Sequence, residues 1–311
     1  MNKKKALLIG CGNIGALYDY DNKQIISHAK AYINNESFTL SVYDVNTSLS
    51  KKISEKYNAH LIEDIDQLNF SNFDSVSICT PTDTHFVFLK KSLIANVKAI
   101  ICEKPISYSI HELNQLSDLQ KVSSSTVIVN YLRRFQPSYI DLKLKISEQQ
   151  SFTELKSILI KYQKGFINNC SHAIDLIQFL FNKEINLDVL NKSIIDYKFS
   201  KNDPTISLNA FWNKIPINIV GISEISYPVF EIELFFNDFR ISILESGQKI
   251  IFYPQQVKSI TLPLKDRLNC IDNYMIPVIE KAEKVIKDGN VCSNLSESIL
   301  LNKKMLEILS L

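Results

Sequence analysis

Glycine, carboxylate, ammonium and imidazole groups occur in this chain at positions where they could do chemistry together. Gly10-Cys11-Gly12-Asn13-Ile14-Gly15 fits the spacing GxGxxG and directly follows a short apolar run, KALLI, at residues 5–9. Gly10 permits a tight turn, Gly12 lets backbone approach a pyrophosphate, and Gly15 lets a following helix pack closely on the strand. Gly10, Gly12, Asn13 and Ile14 are therefore expected at a dinucleotide, with the free N–H groups of a helix start turned to its phosphates. Asp44 stands near the end of the next β-rich run. A carboxylate there accepts both ribose hydroxyls of adenosine and repels a 2′-phosphate, which favours NAD over NADP. Asp44 comes later than the usual spacing of about 20 residues, so an extra loop around residues 19–23 is expected between Tyr18 and Glu36. Lys104 closes another apolar strand, at the end where ligands of parallel sheets bind. Its ammonium can hydrogen-bond a substrate oxygen and stabilise alkoxide character as hydride leaves or arrives, while Pro105 stiffens the turn. His172 is the proton-relay candidate, because imidazole titrates nearest neutral pH. Asp175 lies three residues later on the same helical face.

These groups need a frame. Runs that are apolar on both faces at residues 5–9, 38–45, 73–79, 99–102 and 126–129 alternate with helical stretches at 47–57, 84–95 and 110–119. That alternation predicts a doubly wound parallel α/β sheet over residues 1–130, with helices on both faces. After Pro137 the texture changes. Residues 154–162 alternate like a strand and 173–181 have helical spacing. Residues 186–253 read as strands joined by short turns such as Asn202-Asp203-Pro204 and Asn237-Asp238. Such a pattern implies a mostly antiparallel, open-faced sheet in an α+β domain over residues 131–311. Helices resume from about Leu264, break at Asp288-Gly289-Asn290 and restart with a capping serine in SNLSES, residues 293–298, so the terminal helices are expected to pack back.

The bulk numbers exclude several classes. With 311 residues, 45% hydrophobic and 22% charged, the chain can build two domains with real cores. Thirty-five basic and 33 acidic side chains give a net charge of +2, which gathers neither nucleic acid nor anionic membrane. No run reaches the ~20 apolar residues of a membrane span, and none has the form of a secretory signal. The six cysteines are scattered without CxxC or metal-ligand spacing. They read as reduced core thiols of a cytoplasmic protein with no metal.

Three further stretches make the chain resemble the glucose–fructose oxidoreductase and inositol dehydrogenase family (Gfo/Idh/MocA). They are Ser77-Ile78-Cys79-Thr80-Pro81 followed by His85, the tetrapeptide Cys102-Glu103-Lys104-Pro105 with the family's EKP, and the segment from Gly165 through His172 to Asp175. The resemblance implies that Thr80, Pro81 and His85 edge the cofactor, and that Glu103 binds a cofactor ribose or orients Lys104. It also implies that Asn168 and Asp175 bind substrate, and that Lys104 and His172 are catalytic. Residues 130–137 resemble the family's inter-domain segment, with Arg134 as a substrate-binding residue, and His28 could lie near the site. At the position of a family aspartate this chain has Asn168, which can bind a hydroxyl but cannot take a proton. His172 and Lys104 would share the proton work.

The implied activity is NAD-dependent hydride transfer on a small carbohydrate-like substrate, a sugar, cyclitol or nucleotide-sugar, by a homodimer or homotetramer built on the open sheet, with residues 229–244 as its face. Two alternatives stay open at this stage. One is a glycosidase or eliminase that uses NAD transiently. The other is a sensor that holds NAD without turnover.

Overall fold

A computed structural model of the chain describes residues 3–148, 154–254, 269–289 and 293–311. Two compact units emerge, Met1–Leu132 with Asp272–Lys303, and Arg133–Ile271 with Lys304–Leu311.

The first unit begins with β1 (Lys4–Ile9), followed by α1 (His28–Asn34), β2 (Phe38–Tyr43), α2 (Thr47–Tyr57), β3 (His60–Leu61), β4 (Ser75–Ile78), α3 (Thr82–Ile94), β5 (Ala99–Cys102), α4 (Ile110–Val122) and β6 (Thr126–Val129). The strands form one sheet in the order β3-β2-β1-β4-β5-β6, with every pair parallel. Ala6, Leu7, Leu8 and Ile9 are wholly buried, as a strand covered on both faces requires. Two serines of β4 are buried as well, and the Tyr32 hydroxyl meets Ser75 Oγ at 2.8 Å and Ser77 Oγ at 2.9 Å. Strand order reverses between β1 and β4, which opens a crevice at their carboxyl ends.

The second unit contains α5 (Pro137–Glu148), β7 (Leu155–Tyr162), α6 (Ser171–Phe181), β8 (Asp188–Ser200), β9 (Asp203–Trp212), β10 (Ile215–Gly221), β11 (Phe230–Phe236), β12 (Phe239–Leu244) and β13 (Lys249–Pro254). Its sheet runs β13-β12-β11-β7-β10-β9-β8 and is antiparallel except for β7 with β10. The helix α6 packs against β11 and α5, which explains why it is apolar nearly all round, with Ala173, Ile174, Leu176, Ile177 and Leu180 buried. Leu190 of β8 and Phe211 of β9 remain exposed.

Two helices end the chain, α7 (Ile276–Asp288) and α8 (Leu295–Ser310). Gly289 caps α7 with a φ of 66°, the left-handed conformation glycine adopts freely. The predicted start of helix near Leu264 lies outside the described residues, as does Cys292. Residues 272–303 join the first unit through polar ties. Asn294 Oδ1 accepts from Val129 N at 2.8 Å and its Nδ2 donates to Val129 O at 3.0 Å. Glu283 of α7 accepts from Asn35 Nδ2 at 2.9 Å and Ser37 Oγ at 2.7 Å, and Lys287 Nζ lies 2.6 Å away. Burial alone would raise the Glu283 carboxyl, but these donors and the Lys287 charge pull it from its ordinary 4.5 down to about 2. A folded-state pKa below the unfolded one adds stability above about pH 4.5, and that stability is lost as pH falls towards 2. Glu283→Gln is expected to cost roughly 1–2 kcal/mol at neutral pH and to flatten the acid limb of a denaturation series. Parallel acid limbs for parent and variant would contradict this.

Two local expectations need correction. The run at 38–45 ends as strand at Tyr43, because Asp44 turns the chain by accepting from Cys11 N at 2.7 Å and Asn46 N at 2.8 Å. The helix opened by the glycine turn is only a five-residue π-helical turn, Asn13–Leu17, and helix resumes at His28. Between them runs a loop pinned by the buried Asp19, whose carboxylate accepts from Ile26 N, Ser27 N and Ser27 Oγ at 2.6–2.8 Å. That loop accounts for the late position of Asp44.

Candidate active site

In the first unit, the turn between β1 and the π-helical turn is built around absent side chains. Gly10 has a φ of +94°, and a Cβ there would lie 2.7 Å from the Cys79 carbonyl carbon and oxygen. A Cβ on Gly15 would lie 2.1 Å from Gly10 O, so the turn and the segment after it touch backbone to backbone. At Gly12 a Cβ would meet nothing within 4 Å. Open space above Gly12, next to the helix-start amides at Asn13 and Ile14, which have no intrahelical acceptor, is what a pyrophosphate needs. Asp44 flanks the same turn. Each of its oxygens takes one backbone N–H and keeps a second lone pair for a hydroxyl. Cys11, inside the turn, is inert: burial and the neighbouring Asp44 charge push its thiol up to about 12. The glycine turn and Asp44 thus fit a dinucleotide.

The carboxyl ends of β4 and β5 carry the next groups. Thr80 is half-buried and takes a hydrogen bond from Thr84 Oγ1 at 2.7 Å. Pro81 is exposed and stands at the N-cap of α3. His85 is buried within α3, with Nε2 2.8 Å from Thr80 O and Nδ1 2.8 Å from Pro105 O. Burial lowers its pKa more than the two carbonyls and Glu103 raise it, with Lys104 also lowering it. Near neutral pH the ring therefore carries one N–H for two carbonyl oxygens.

Glu103 is buried, and its Oε1 accepts from His28 Nε2 at 2.9 Å and Asn130 Nδ2 at 2.6 Å. Desolvation would raise its pKa, but the His28 hydrogen bond and charge, Asn130 and Lys104 together lower it, so it is a carboxylate. Lys104 is half-buried, and the bond from it to Pro105 is cis. The sequence suggests that His28 lies near the site but names no partner for it. Its pairing with Glu103, 75 residues away, has no signature in spacing. Nor does the role of Asn130.

In the second unit, Asp203 organises the segment that resembles the family. Its buried carboxylate accepts from Ile167 N at 2.7 Å and Asn168 N at 2.8 Å. A Cβ on Gly165, whose φ is +85°, would lie 2.4 Å from Asp203 Oδ2, so glycine is required beside that carboxylate. Sequence marked Asp203 only as part of a turn. Asn168 is half-buried and its Nδ2 donates to Lys164 O at 3.0 Å. His172, in the first turn of α6, is 9% exposed and meets the Phe230 ring edge to face at 6.5 Å. The Arg133 guanidinium lies 3.8 Å from the centroid of that Phe230 ring. Arg134 Nε donates to both oxygens of Asp175, at 2.8 and 2.7 Å, in a pair almost sealed from water. Lys164 lines an open pocket of about 390 Å³ together with Asp196, Lys198, Phe199 and Glu224. Among the described residues no group of three or more His, Cys, Asp or Glu could hold a metal ion, and no helix is long and apolar enough to cross a membrane.

A glycine turn at the switch point of a parallel sheet, with a carboxylate just after the next strand, defines a dinucleotide-binding Rossmann domain. Residues 4–131 match the family model described as "Oxidoreductase family, NAD-binding Rossmann fold". Over these residues the chain is similar to the Gfo/Idh/MocA oxidoreductases. Inositol 2-dehydrogenase of Rhizobium meliloti is 27% identical over 192 residues, covering 57% of this chain and 54% of that protein. The NAD(+)-dependent scyllo-inositol 2-dehydrogenase of Bacillus subtilis is 32% identical over 125 residues, 36% of each chain. The sequence matches thus span about half the length of these relatives or less. Likeness of fold extends further. UDP-N-acetylglucosamine 3-dehydrogenase from Acidithiobacillus ferrooxidans superposes with a TM-score of 0.74 at 16% identity, covering 99% of this chain and 97% of its own. A 3-ketoreductase from Actinomadura kijaniata, in complex with NADP and TDP-benzene, gives 0.76 at 13% identity, covering 98% and 96%.

Proposed function

We propose that the protein is an NAD-dependent oxidoreductase that transfers hydride between nicotinamide and a hydroxyl or keto carbon of a sugar, cyclitol or nucleotide-sugar. The observation that carries this reading is the Asp44-braced glycine turn, open above Gly12, with Lys104 two strands away at the same edge of the sheet. Bound NAD would supply the hydride acceptor or donor. Gly10, Gly12, Asn13 and Ile14 would hold its phosphates and Asp44 its adenosine ribose. Thr80, Pro81, His85 and Glu103 would shape the edge that meets the rest of it, His85 through the backbone. Lys104 donates a hydrogen bond to the reacting oxygen and steadies negative charge there. Asn168 binds a hydroxyl but moves no proton, so proton transfer falls to Lys104 and His172. Arg134 and Asp175 serve the substrate end as one hydrogen-bonded pair. Inositol and nucleotide-sugar dehydrogenases among the relatives support the substrate class. A homodimer or homotetramer resting on the open sheet face, in a cytoplasm that keeps the buried thiols reduced, completes the proposal.

The test is purified protein with NAD and a panel of cyclitols, sugars and nucleotide-sugars, followed at the NADH absorbance band. Net formation of NADH supports the reading. Bond cleavage without net NADH would point to transient oxidation, and tight NAD binding with neither would point to a sensor. Asp44→Ala is expected to weaken NAD about tenfold or more and to narrow its margin over NADP, because two charged hydrogen bonds and one repulsion disappear together. Titration with both nucleotides measures this, and an unchanged preference would assign the ribose contact elsewhere.

A further inference from the structure

We propose that His28 and His85 are paired positioning residues that hold the Glu103–Lys104–Pro105 segment from two sides and so place the Lys104 ammonium. The inference rests on the reading of Lys104 as the group that meets the reacting oxygen, but its own test does not need a substrate.

On one side, His28 is wholly buried at the first turn of α1 and its Nε2 lies 2.9 Å from Glu103 Oε1. Because Glu103 is a carboxylate, Nε2 must be the donor. Asn130 Nδ2 converges on the same oxygen at 2.6 Å. His28 is itself fixed from behind. The loop before it is closed by Asp19, and it is fastened to residues 273–275 by Ile25 N to Asn273 Oδ1 at 2.8 Å and Met275 N to Ile25 O at 3.4 Å. On the other side, the His85 ring stands between Pro105 O and Thr80 O, 2.8 Å from each, and donates its one N–H to one of them. The imidazole thus packs between the residue after Lys104 and the loop at the end of β4. Glu103 and Pro105 are the two neighbours of Lys104 in sequence, so their restraint fixes the backbone that carries the ammonium. The charged groups facing His85 are Glu103 and Lys104. Neither histidine touches the reacting atoms in this scheme, and displacement of a catalytic group by about 1 Å can cost on the order of 100-fold in rate.

The experiment uses the full chain with its lysines reductively methylated with ¹³C, the Lys104 resonance being assigned by its loss in Lys104→Arg. His28→Leu and His85→Leu are each expected to shift or broaden the Lys104 resonance without substrate present. Turnover should fall at least ~10-fold. His28→Gln and His85→Gln, which keep an N–H donor, should restore the resonance and bring turnover to within about threefold of the parent. An unmoved Lys104 resonance in folded leucine variants overturns the proposal. Should a leucine variant not fold, the alanine variant titrated with imidazole decides: return of the parent resonance supports the role, and no response to imidazole overturns it. If no compound in the panel is turned over, the resonance still reports on Lys104, so the hydride reading can fail while this one stands.

Discussion

Lys104→Ala is expected to bind NADH within about threefold of the parent protein while turnover of a sugar or cyclitol falls at least ~100-fold. The two effects separate because the dinucleotide is held elsewhere. In the proposed reading its phosphates rest on the glycine turn after β1 and its ribose on Asp44, whereas Lys104 stands just beyond the end of β5. Removing the ammonium leaves Glu103 in place on His28 and Asn130, so the loss falls on charge stabilisation at the reacting oxygen. Lys104→Arg keeps the charge but not the compact point of it, and is expected to recover only part of the loss. Fluorescence titration of NADH beside steady-state kinetics measures both quantities. Turnover unchanged in Lys104→Ala would remove this side chain from the chemistry.

The second large effect contrasts two alanines within one motif. Gly15→Ala places a methyl 2.1 Å from the Gly10 carbonyl oxygen, a contact with backbone that cannot swing aside. Strain of this kind is expected to cost about 2–4 kcal/mol and to abolish NAD binding with it. Gly12→Ala meets no protein atom within 4 Å and its φ of −66° is open to any residue. That variant should melt within a few degrees of the parent yet bind NAD at least tenfold more weakly, because its methyl enters space reserved for the pyrophosphate. Thermal melts with and without NADH separate the two. A Gly12→Ala protein that binds NAD normally would show that the phosphates lie elsewhere.

What could be read directly from sequence was local. The first strand, the glycine turn and α2 announce themselves because their signals lie side by side: an apolar run stopped by glycine, or Asn46 accepting from Leu49 N at one end and Asn58 left-handed at the other. The antiparallel second sheet showed through turn residues such as Asn213 and Lys214, both at positive φ. α1 did not show, because only seven residues follow a loop that interrupts any periodic pattern. The site divides in the same way. Glycine spacing and EKP name the residues proposed to approach a ligand. The groups that steady them, His28 on Glu103, Asn130 on the same oxygen and Asp203 beneath Asn168, come from 27 to 75 residues away, and separation of that size leaves no pattern in one chain.

The brevity of the turn at Asn13–Leu17 changes how this protein can grip an anion. A long helix lends its first amides the summed polarity of many aligned peptides, whereas five residues contribute little beyond their own N–H groups. In the proposed reading the grip is therefore local, next to a loop that Asp19 holds closed. Nucleotide affinity is then expected to be coupled to the opening of that loop, so warming should release the cofactor before the sheet beneath it melts.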